Sequence, residues 1–349
     1  MISFLNTSRK GILFGLFWAL LTTLTGPLYA KAYTVGFLAG SGGLGDESFN
    51  DMTYRGLGKA QQELGFTLVV RQWEQDTSMD TLFLELIDQD AQLIVLNGVQ
   101  FLPLLKKFAP RYPQKFFIAN DFEGGKHDNV KSIVYSQHEG AFLAGFLAAS
   151  LSQTGKIGFL GAIDIDIIKA YRTGFFEGAA HSSKKAIIFE EYLSSLPDFS
   201  GFNNPEKGYK TASSMYDNGI DIIFAAAGGS GNGAILAAKD HNRFVIGVDS
   251  NQDHMAKGNV LTSVMKRLDK AVYLETTKAF KGQMIPGTTW YGLANGGISL
   301  TSMKYSKDSI PEEVREKLRN LEEQIITGKL RVSNFLTQNP AGKTSAEQQ

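Results

Sequence analysis

The chain has 349 residues, 43% of them hydrophobic and 20% charged, and its 35 basic residues balance 35 acidic ones. This length suits two domains of ordinary size, and a net charge of zero gives no overall field that would favour nucleic acid or an anionic membrane. The absence of cysteine from the sequence excludes disulfides, cysteine-ligated zinc and thiol catalysis.

Residues 1–32 have the pattern of a secretory signal peptide. Residues 9–10 are basic, residues 11–24 are apolar, and Ala30 and Ala32 flank one lysine in a small-x-small cleavage pattern. The alternative is a retained membrane anchor, but Pro27 interrupts the apolar run before it is long enough to span a bilayer comfortably. We therefore expect an exported protein that is cleaved after Ala30 or after Ala32.

Strand-like apolar runs then alternate with helix-like segments, as in βαβ units. The first series contains the predicted strands 33–39, 67–72, 93–96, 116–120 and 133–135 and the predicted helices 50–64, 79–89 and 102–109. A glycine at position 65 is a typical C-cap for the first helix. This series predicts one α/β lobe built on a mostly parallel sheet.

The pattern starts again after a helix rich in small residues, 139–151. The second series contains the predicted strands 156–160, 185–192, 220–226 and 244–248 and the predicted helices 168–182, 206–218 and 231–239. A strand at 261–264, a helix at 268–281, a strand at 290–292 and a helix at 311–327 follow. Two such series predict two similar lobes with a cleft between them.

The order of these elements predicts the lobe boundaries. Residues 33–135 plus 252–285 are expected in the first lobe, and residues 136–251 plus 286–336 in the second. The chain would then cross between the lobes near 135–137, 250–252 and 282–287. The polar residues 337–349 are expected to form a disordered tail.

Polar side chains follow several predicted strands directly. The first strand ends in the glycine-rich segment 40–45, and two later strands end in Asp121 and Asp249. In open α/β sheets, ligands bind at the carboxyl ends of the strands. The sequence therefore predicts one ligand cleft, although aspartate also caps loops for purely structural reasons. The candidate contacts that follow the glycine-rich segment are Asp46, Ser48, Phe49 and Asn50.

Two glycine-rich segments have competing interpretations. Residues 40–45 match the GxGxxG pattern of dinucleotide-binding loops, but residues 46–50 delay the helix and Glu74 lies too far along to bind a ribose. We interpret the glycines as a tight loop that lets the backbone approach a ligand. Residues 228–233 precede a helix and could hold a phosphate, although they lack the lysine of a P-loop.

Six ordered motifs carry a resemblance to a known family. They are Asp46-Glu-Ser-Phe-Asn50, the segment His138–Ala149, Gly174-Phe-Phe-Glu-Gly178, Ala226-Ala-Gly228 with Gly231-Asn-Gly233, Gly247–Gln252 and Leu261–Lys266. This pattern resembles the basic membrane protein family of ABC-importer substrate-binding proteins, which includes a purine nucleoside receptor. The resemblance extends from Tyr33 to about Val332. It implies a type I periplasmic-binding-protein fold with two Rossmann-like lobes.

The resemblance also implies roles for individual residues. In the family, aromatic rings sandwich a purine base while carboxylates hold the base and the ribose. By motif, Phe49 would supply one ring, Asp121 would hold the base, Asp249 would hold the ribose, and Asn50 and Lys266 would add polar contacts. The second ring would come from Phe199 or Phe202, which compete for this place, and Phe175 is a further candidate. Gly228 would allow close approach of the backbone.

The implied partners are a purine nucleoside and an inner-membrane ABC permease, with no cofactor and no nucleic acid. Many relatives carry a processing-site cysteine for a lipid anchor, which this sequence lacks, so we expect a freely diffusing, monomeric periplasmic protein. A free purine, a nucleotide or a sugar remains an alternative ligand. No coherent catalytic motif is present, and nucleoside hydrolysis is the enzymatic alternative, with Asp164 and Asp166 as the only dense acidic pair.

Overall fold

Strands and helices alternate along the chain in the order that the apolar pattern predicts. The computed structural model describes residues 33–74 and 76–338, so the predicted signal peptide lies outside the described residues. The strands are β1 (Thr34–Ala39), β2 (Thr67–Gln72), β3 (Leu93–Asn97), β4 (Phe116–Asn120), β5 (Val130–Tyr135), β6 (Lys156–Ile163), β7 (Ile187–Ser194), β8 (Ile222–Ala226), β9 (Phe244–Asp249), β10 (Val260–Lys266), β11 (Gly287–Tyr291) and β12 (Ile298–Leu300). The helices are α1 (Phe49–Leu64), α2 (Met79–Asp88), α3 (Leu102–Phe108), α4 (Gln137–Leu151), α5 (Asp166–His181), α6 (Pro205–Asp217), α7 (Gly231–Asp240), α8 (Leu268–Phe280), α9 (Glu312–Ile326) and α10 (Phe335–Gln338).

Each lobe is built on one six-stranded sheet. The first sheet has the order β11-β5-β4-β3-β1-β2 and the second has the order β12-β10-β9-β8-β6-β7. The strands pair in parallel, except that β12 runs antiparallel to β10. The strand order reverses beside β1 in the first sheet and beside β6 in the second, which is where doubly wound sheets form a crevice. The predicted class of two Rossmann-like lobes is confirmed.

The lobe boundaries differ from the predicted ones. The segment 252–285 was expected in the first lobe, but its strand β10 pairs with β9 of the second sheet. The segment 286–336 was expected in the second lobe, but its strand β11 pairs with β5 of the first sheet. Late segments of the chain therefore supply strands to both sheets, β11 to the first and β10 with β12 to the second. An apolar pattern cannot predict this exchange, because it does not say which sheet a strand joins.

The crossings between the lobes change accordingly. The predicted crossing at 135–137 agrees with the structure, because β5 ends at Tyr135 and α4 begins at Gln137. The other two lie at 266–268, between β10 and α8, and at 291–298, between β11 and β12, and not at 250–252 and 282–287. Helix α8 belongs to the first lobe because it packs against α1.

The central strands are buried along their whole length. All residues of β1, β3 and β5 are buried, as expected for parallel strands that helices cover on both faces. Phe142 and Phe146 on α4, predicted as core residues, are only 1% and 5% exposed. Within residues 33–74 and 76–338, no helix is long and apolar enough to cross a membrane. The last segment departs from prediction in part, because Thr337 and Gln338 of the expected tail belong to α10.

Helices α4 and α5 pack with their backbones in close contact. A Cβ atom built on Gly145 would lie 1.9 Å from the carbonyl oxygen of Phe175, and one built on Gly178 would lie 1.8 Å from that of Phe142. Both distances are far below van der Waals contact, and the obstructing atoms are backbone atoms that cannot rotate away. The small residues of α4 and α5 are therefore required for the packing of the second lobe.

We expect Gly145→Ala to lower the free energy of unfolding by about 1–3 kcal/mol, because a methyl group must force the two helices apart. Gly58→Ala on α1 is the matched control, since a Cβ atom there meets nothing within 4 Å. Alanine inside a helix is about 0.5–1 kcal/mol more favourable than glycine, so this control should be slightly stabilised. Chemical denaturation of both variants checks the prediction, and a Gly145→Ala protein as stable as the parent would contradict it.

Candidate ligand-binding site

A cavity lies between the lobes, at the carboxyl ends of the central strands. Both lobes line it. Seven of the candidate ligand contacts named from the sequence line this cavity, namely Asp46, Phe49, Asp121, Phe202, Gly228, Asp249 and Lys266. The crevice predicted from the strand ends is therefore a real cavity that brings together side chains from distant parts of the chain.

Asp121 and Lys266 form a buried ion pair across the two lobes. Asp121 directly follows β4 of the first sheet, and Lys266 is the last residue of β10 in the second. Their side chains are 5% and 2% exposed, and Lys266 Nζ lies 2.6 Å from Asp121 Oδ2. Burial raises the pKa of Asp121 to about 6, although Lys266 lowers it, so the carboxyl group is ionised at neutral pH.

Three aromatic rings surround the lysine ammonium. Lys266 Nζ lies 5.1 Å from the ring centroid of Tyr171, 5.4 Å from that of Tyr135 and 5.7 Å from that of Phe49. Cation–π attraction adds to the ion pair, and it is larger in a desolvated site than on the surface. These contacts compensate in part for taking a lysine out of water.

Asp249 accepts hydrogen bonds from both lobes. Ser48 Oγ donates to its Oδ2 at 2.7 Å, and the hydroxyl of Tyr171 donates to its Oδ1 at 3.3 Å. Burial raises the pKa of Asp249, while Lys266 and the two hydroxyl donors lower it. Each carboxylate oxygen can accept more than one hydrogen bond, so the group can still accept donors from a ligand.

Asp121 and Asp249 also share an unusual backbone conformation. Their φ angles are 68° and 64°, in the left-handed region that few non-glycine residues occupy. Such strain persists where the surrounding structure requires it, commonly at ligand-binding sites. The two residues occupy corresponding places at the strand ends of the two lobes, and both side chains line the cavity.

Asp46 lines the cavity and also fixes the start of α1. Its carboxylate accepts hydrogen bonds from the backbone amides of Ser48, Asn50 and Asp51 and from the Asn50 side chain, at 2.8–3.1 Å. Burial raises its pKa to about 6, against the lowering effect of the amide donors. Asp46 therefore acts as the cap of α1, which places Phe49 at the cavity.

Ser48 and Asn50 are buried but do not line the cavity. Asn50 Oδ1 accepts hydrogen bonds from the amide of Gly40 and from Asn97 Nδ2, both at 2.9 Å. The hydroxyl of Ser48 donates its hydrogen bond to Asp249. Both side chains therefore bind other protein groups in this structure, and their direct contact with a ligand stays a prediction.

The structure separates the candidate aromatic rings. Phe202 lines the cavity from the second lobe, opposite the lobe that carries Phe49. Phe199 does not line it, because the short turn Ser200–Phe202 directs its ring onto Trp73, with a centroid distance of 5.8 Å. Phe175 has no exposed surface and packs against Phe224. Of the three candidate rings, only Phe202 therefore lines the cavity.

Sequence reasoning missed Tyr171, which lies one helical turn before Phe175 on α5. The cavity lies at the beginning of this helix, because helices that follow parallel strands start at the carboxyl edge of the sheet. A residue of the first two turns therefore reaches the cavity, and a residue one turn later does not. Ile168, three positions earlier on the same face, also lines the cavity.

A buried polar network behind the cavity was also missed. Asn120 Nδ2 donates to Asn97 Oδ1 at 2.7 Å, Thr53 Oγ1 donates to the same oxygen at 2.9 Å, and the hydroxyl of Tyr135 donates to Asn120 Oδ1 at 3.1 Å. Asn97 and Asn120 are the last residues of β3 and β4. The strand-end rule that singled out the aspartates could have found both asparagines.

Comparison with known proteins identifies the family of this chain. The model of the Bmp family, described as ABC transporter substrate-binding protein PnrA-like, matches residues 33–334. The chain belongs to this family. It is 34% identical over 288 residues to basic membrane protein A of Borreliella afzelii, covering 80% of this chain and 86% of that protein. Substrate-binding proteins of ABC transporters act outside the cytoplasmic membrane, together with a transporter permease.

Solved structures show the same architecture. A solute-binding protein of an ABC transporter system from Aeropyrum pernix K1 is similar to this Bmp-family chain with a TM-score of 0.77 and 25% identity, over 86% of this chain and 92% of that one. A periplasmic solute-binding protein from Actinobacillus succinogenes 130z with bound D-allose is similar with a TM-score of 0.62 and 17% identity, over 79% and 99% of the two chains. The second likeness concerns the fold alone.

Proposed function

We propose that this Bmp-family protein is the periplasmic receptor of an ABC importer for a purine nucleoside. The observation that carries the proposal is the pairing of Phe49 and Phe202 on opposite lobes of one cavity whose strand ends supply Asp121 and Asp249. Two rings from opposite lobes suit a flat base, and stacking contributes about 1–3 kcal/mol per ring. Carboxylates suit the N–H and O–H donors of a nucleoside, with which they form charge-assisted hydrogen bonds.

The charge of the cavity argues for a nucleoside over a nucleotide. Among the described lining residues, the carboxyl groups of Asp46, Asp121 and Asp249 outnumber the single amino group of Lys266, which Asp121 already pairs. The glycine segment that could hold a phosphate lies close to one of these acids, since a Cβ atom on Gly229 would lie 3.4 Å from Asp46 Cβ. A phosphate there would meet a like charge at short distance.

Binding would proceed by closure of the lobes about the three crossings. The ligand stabilises the closed form only as far as it binds that form more tightly than the open form. Phe49 and Asp121 on the first lobe and Phe202 and Asp249 on the second would supply this difference, because both pairs contact one ligand only after closure. The closed complex would then deliver the nucleoside to the permease.

A thermal-shift screen of the purified protein tests the proposal. Adenosine, guanosine, inosine, the free bases, AMP and D-allose serve as ligands. A ligand at about 100 times its dissociation constant should stabilise the protein by about 2.7 kcal/mol, which shifts the melting temperature clearly. We expect stabilisation by at least one nucleoside, with the ligand recovered intact. Release of free base would indicate a hydrolase, and stabilisation by none of the nucleosides would contradict the proposal.

Phe202→Ala and Phe199→Ala form a matched pair for the same screen. We expect Phe202→Ala to weaken the binding of the nucleoside by about 5- to 150-fold, the equivalent of one lost stacking ring. Phe199→Ala should weaken the affinity less, because that ring lies outside the cavity on Trp73 of the first lobe and acts only through the contact between the lobes. Titration calorimetry of both variants measures the difference, and the reverse order of effects would support Phe199 as the second ring.

A further inference from the structure

Two consecutive backbone carbonyls of the first lobe accept hydrogen bonds from three side chains of the second lobe. Asn232 Nδ2 donates to the carbonyl oxygen of Asp46 at 3.0 Å. The carbonyl oxygen of Glu47 accepts from Ser250 Oγ at 2.5 Å and from Gln252 Nε2 at 3.3 Å. We call these three hydrogen bonds the inter-lobe bridge. They join segments that are about 200 residues apart in the chain and belong to different lobes.

The acceptor side of the bridge is held in one conformation. Glu47 has a φ angle of 50°, in the left-handed region, between the two residues Asp46 and Ser48 that are anchored by other contacts. The amide of Ser48 donates to Asp46 Oδ1, and the amide of Glu47 donates to Asp51 Oδ2. A non-glycine residue in this region is strained, and here the strain accompanies a carbonyl that is turned toward the other lobe.

Hydrogen bonds within the second lobe orient the donor side chains Gln252 and Asn232. Gln252 Oε1 accepts a hydrogen bond from the amide of Val248 at 2.9 Å, which leaves the Nε2 group of the same side chain to donate. One of its donations goes to Asn232 Oδ1 at 3.2 Å, which in turn leaves Asn232 Nδ2 for Asp46. The donors therefore have a fixed arrangement that finds its acceptors when the first lobe comes into contact.

None of the three donor side chains lines the cavity. The bridge therefore contributes to closure through protein groups alone, whereas Asp121 and Asp249, which also contact the other lobe through Lys266 and Ser48, line the cavity and contribute through a ligand as well. We propose that the inter-lobe bridge closes a fraction of the molecules before any ligand binds, and that Asn232, Ser250 and Gln252 thereby set the affinity without touching the ligand. They are positioning residues for the proposed binding reaction.

This inference has two parts. The closure part concerns the ligand-free protein and does not depend on the ligand, whereas the affinity part rests on the proposed function. When only a fraction of the molecules is competent to bind, the apparent dissociation constant is the intrinsic one divided by that fraction. Removing one hydrogen bond of the bridge should therefore change the closed fraction and the affinity by the same factor. A single neutral hydrogen bond corresponds to a factor of about 2 to 10.

Ser250→Ala is the test variant, and Ser306→Ala is its matched control. Both serines are buried in the second lobe, and each hydroxyl donates to a backbone carbonyl at 2.5 Å. The acceptor of Ser250 is Glu47 in the other lobe, whereas the acceptor of Ser306 is Leu261 in its own lobe. Both substitutions remove the same group, so a difference in closure between them reports the position of the hydrogen bond.

The closed fraction can be measured with two spin labels, because the sequence contains no cysteine that would compete for them. The exposed positions Gln62 on α1 and Ser214 on α6 place one introduced cysteine on each lobe. Without ligand, we expect the parent protein to show a short-distance and a long-distance population. Ser250→Ala should lower the ratio of short to long distances by about 2- to 10-fold, and Ser306→Ala should leave it unchanged.

Calorimetry with adenosine, or with whichever of guanosine and inosine binds the parent protein, completes the experiment. We expect Ser250→Ala to weaken that affinity by the factor measured for the closed fraction. A ligand-free parent with no short-distance population, or a Ser250→Ala variant whose distances equal those of Ser306→Ala, would overturn the proposal. If none of the three nucleosides binds, the proposed function fails, while the ligand-free distances still decide whether the bridge closes the lobes.

Discussion

Lys266→Met should destabilise the folded protein by about 3–5 kcal/mol, because it leaves Asp121 as an uncompensated buried charge. Lys266 Nζ lies 2.6 Å from Asp121 Oδ2, and both side chains are almost fully buried. Methionine retains much of the apolar stem that packs among Phe49, Tyr135 and Tyr171. The loss of stability therefore reflects the removed positive charge and not a change in side-chain volume. Lys210→Met is the control, because Lys210 pairs with Glu206 on the surface, where ion pairs contribute about 0–1 kcal/mol.

This effect should depend on pH in a defined direction. Burial raises the pKa of Asp121 from 3.8 to about 6, so the folded protein binds a proton that the unfolded chain does not bind between these values. Removing Lys266 raises this pKa further. The difference in stability between the variant and the parent should therefore grow as the pH rises above about 6, and it should be smallest below about pH 5, where Asp121 is neutral in both folded proteins.

Denaturation of the parent and of Lys266→Met at about pH 5 and about pH 8 measures this difference. The double variant Asp121→Asn, Lys266→Met should recover much of the lost stability at the higher pH, since it removes the unpaired charge. Asparagine is suited to position 121 because it tolerates the left-handed φ of 68° there. A loss of stability that is equal at both pH values, or that the double variant does not reduce, would contradict the assignment of the penalty to Asp121.

Asp249→Asn should weaken the binding of adenosine by on the order of 100-fold or more, while the binding of adenine changes much less. In the proposed complex, Asp249 accepts the ribose hydroxyls, and each hydrogen bond to a charged acceptor contributes about 1.5–3 kcal/mol. Asparagine is preferable to alanine because the residue has a φ angle of 64° and must still accept the hydrogen bond from Ser48. Titration with adenosine, 2′,3′-dideoxyadenosine and adenine measures the contribution of the sugar separately from that of the base.

Asp221→Asn provides the control for this prediction. Asp221 is also buried in the second lobe and accepts a hydrogen bond from Ser152, but it does not line the cavity. We expect its affinity for adenosine to equal that of the parent. If Asp249→Asn weakened the binding of adenosine and of adenine equally, Asp249 would not be the acceptor of the ribose hydroxyls. Its role would then be to hold the base or to close the lobes.

Local residue patterns predicted the elements because each one reflects forces between near neighbours. β2 spans Thr67–Gln72, as the apolar run predicts, and α1 ends before Gly65, whose φ of 74° is the left-handed conformation of a C-cap. The three-residue strand β12 was missed, because so short a run carries no periodic pattern. The strand ends at Asp121 and Asp249 were found for the same local reason, since the apolar run stops directly at a carboxylate.

The direction of a side chain was harder to predict than its position in the sequence. Phe199 and Phe202 lie three residues apart in one loop, and the turn Ser200–Phe202 decides that only Phe202 faces the cavity. Phe175 and Tyr171 share one face of α5, and only the turn nearer the start of the helix reaches the site. In both cases the sequence did not show where the segment that carries the two rings lies relative to the cavity.

The sequence by itself determined the alternation of strands and helices, the two-lobed class, the crossing after Tyr135 and the carboxylates at the strand ends, because these features depend on apolar periodicity and on chain order. Only the tertiary structure decided that β10 and β11 exchange lobes, that Lys266 pairs with Asp121, and that the carbonyl of Glu47 receives Ser250 and Gln252. Each of these joins groups that are far apart in the chain. Such contacts form between specific surfaces of the folded lobes, and no periodicity of a single segment encodes them.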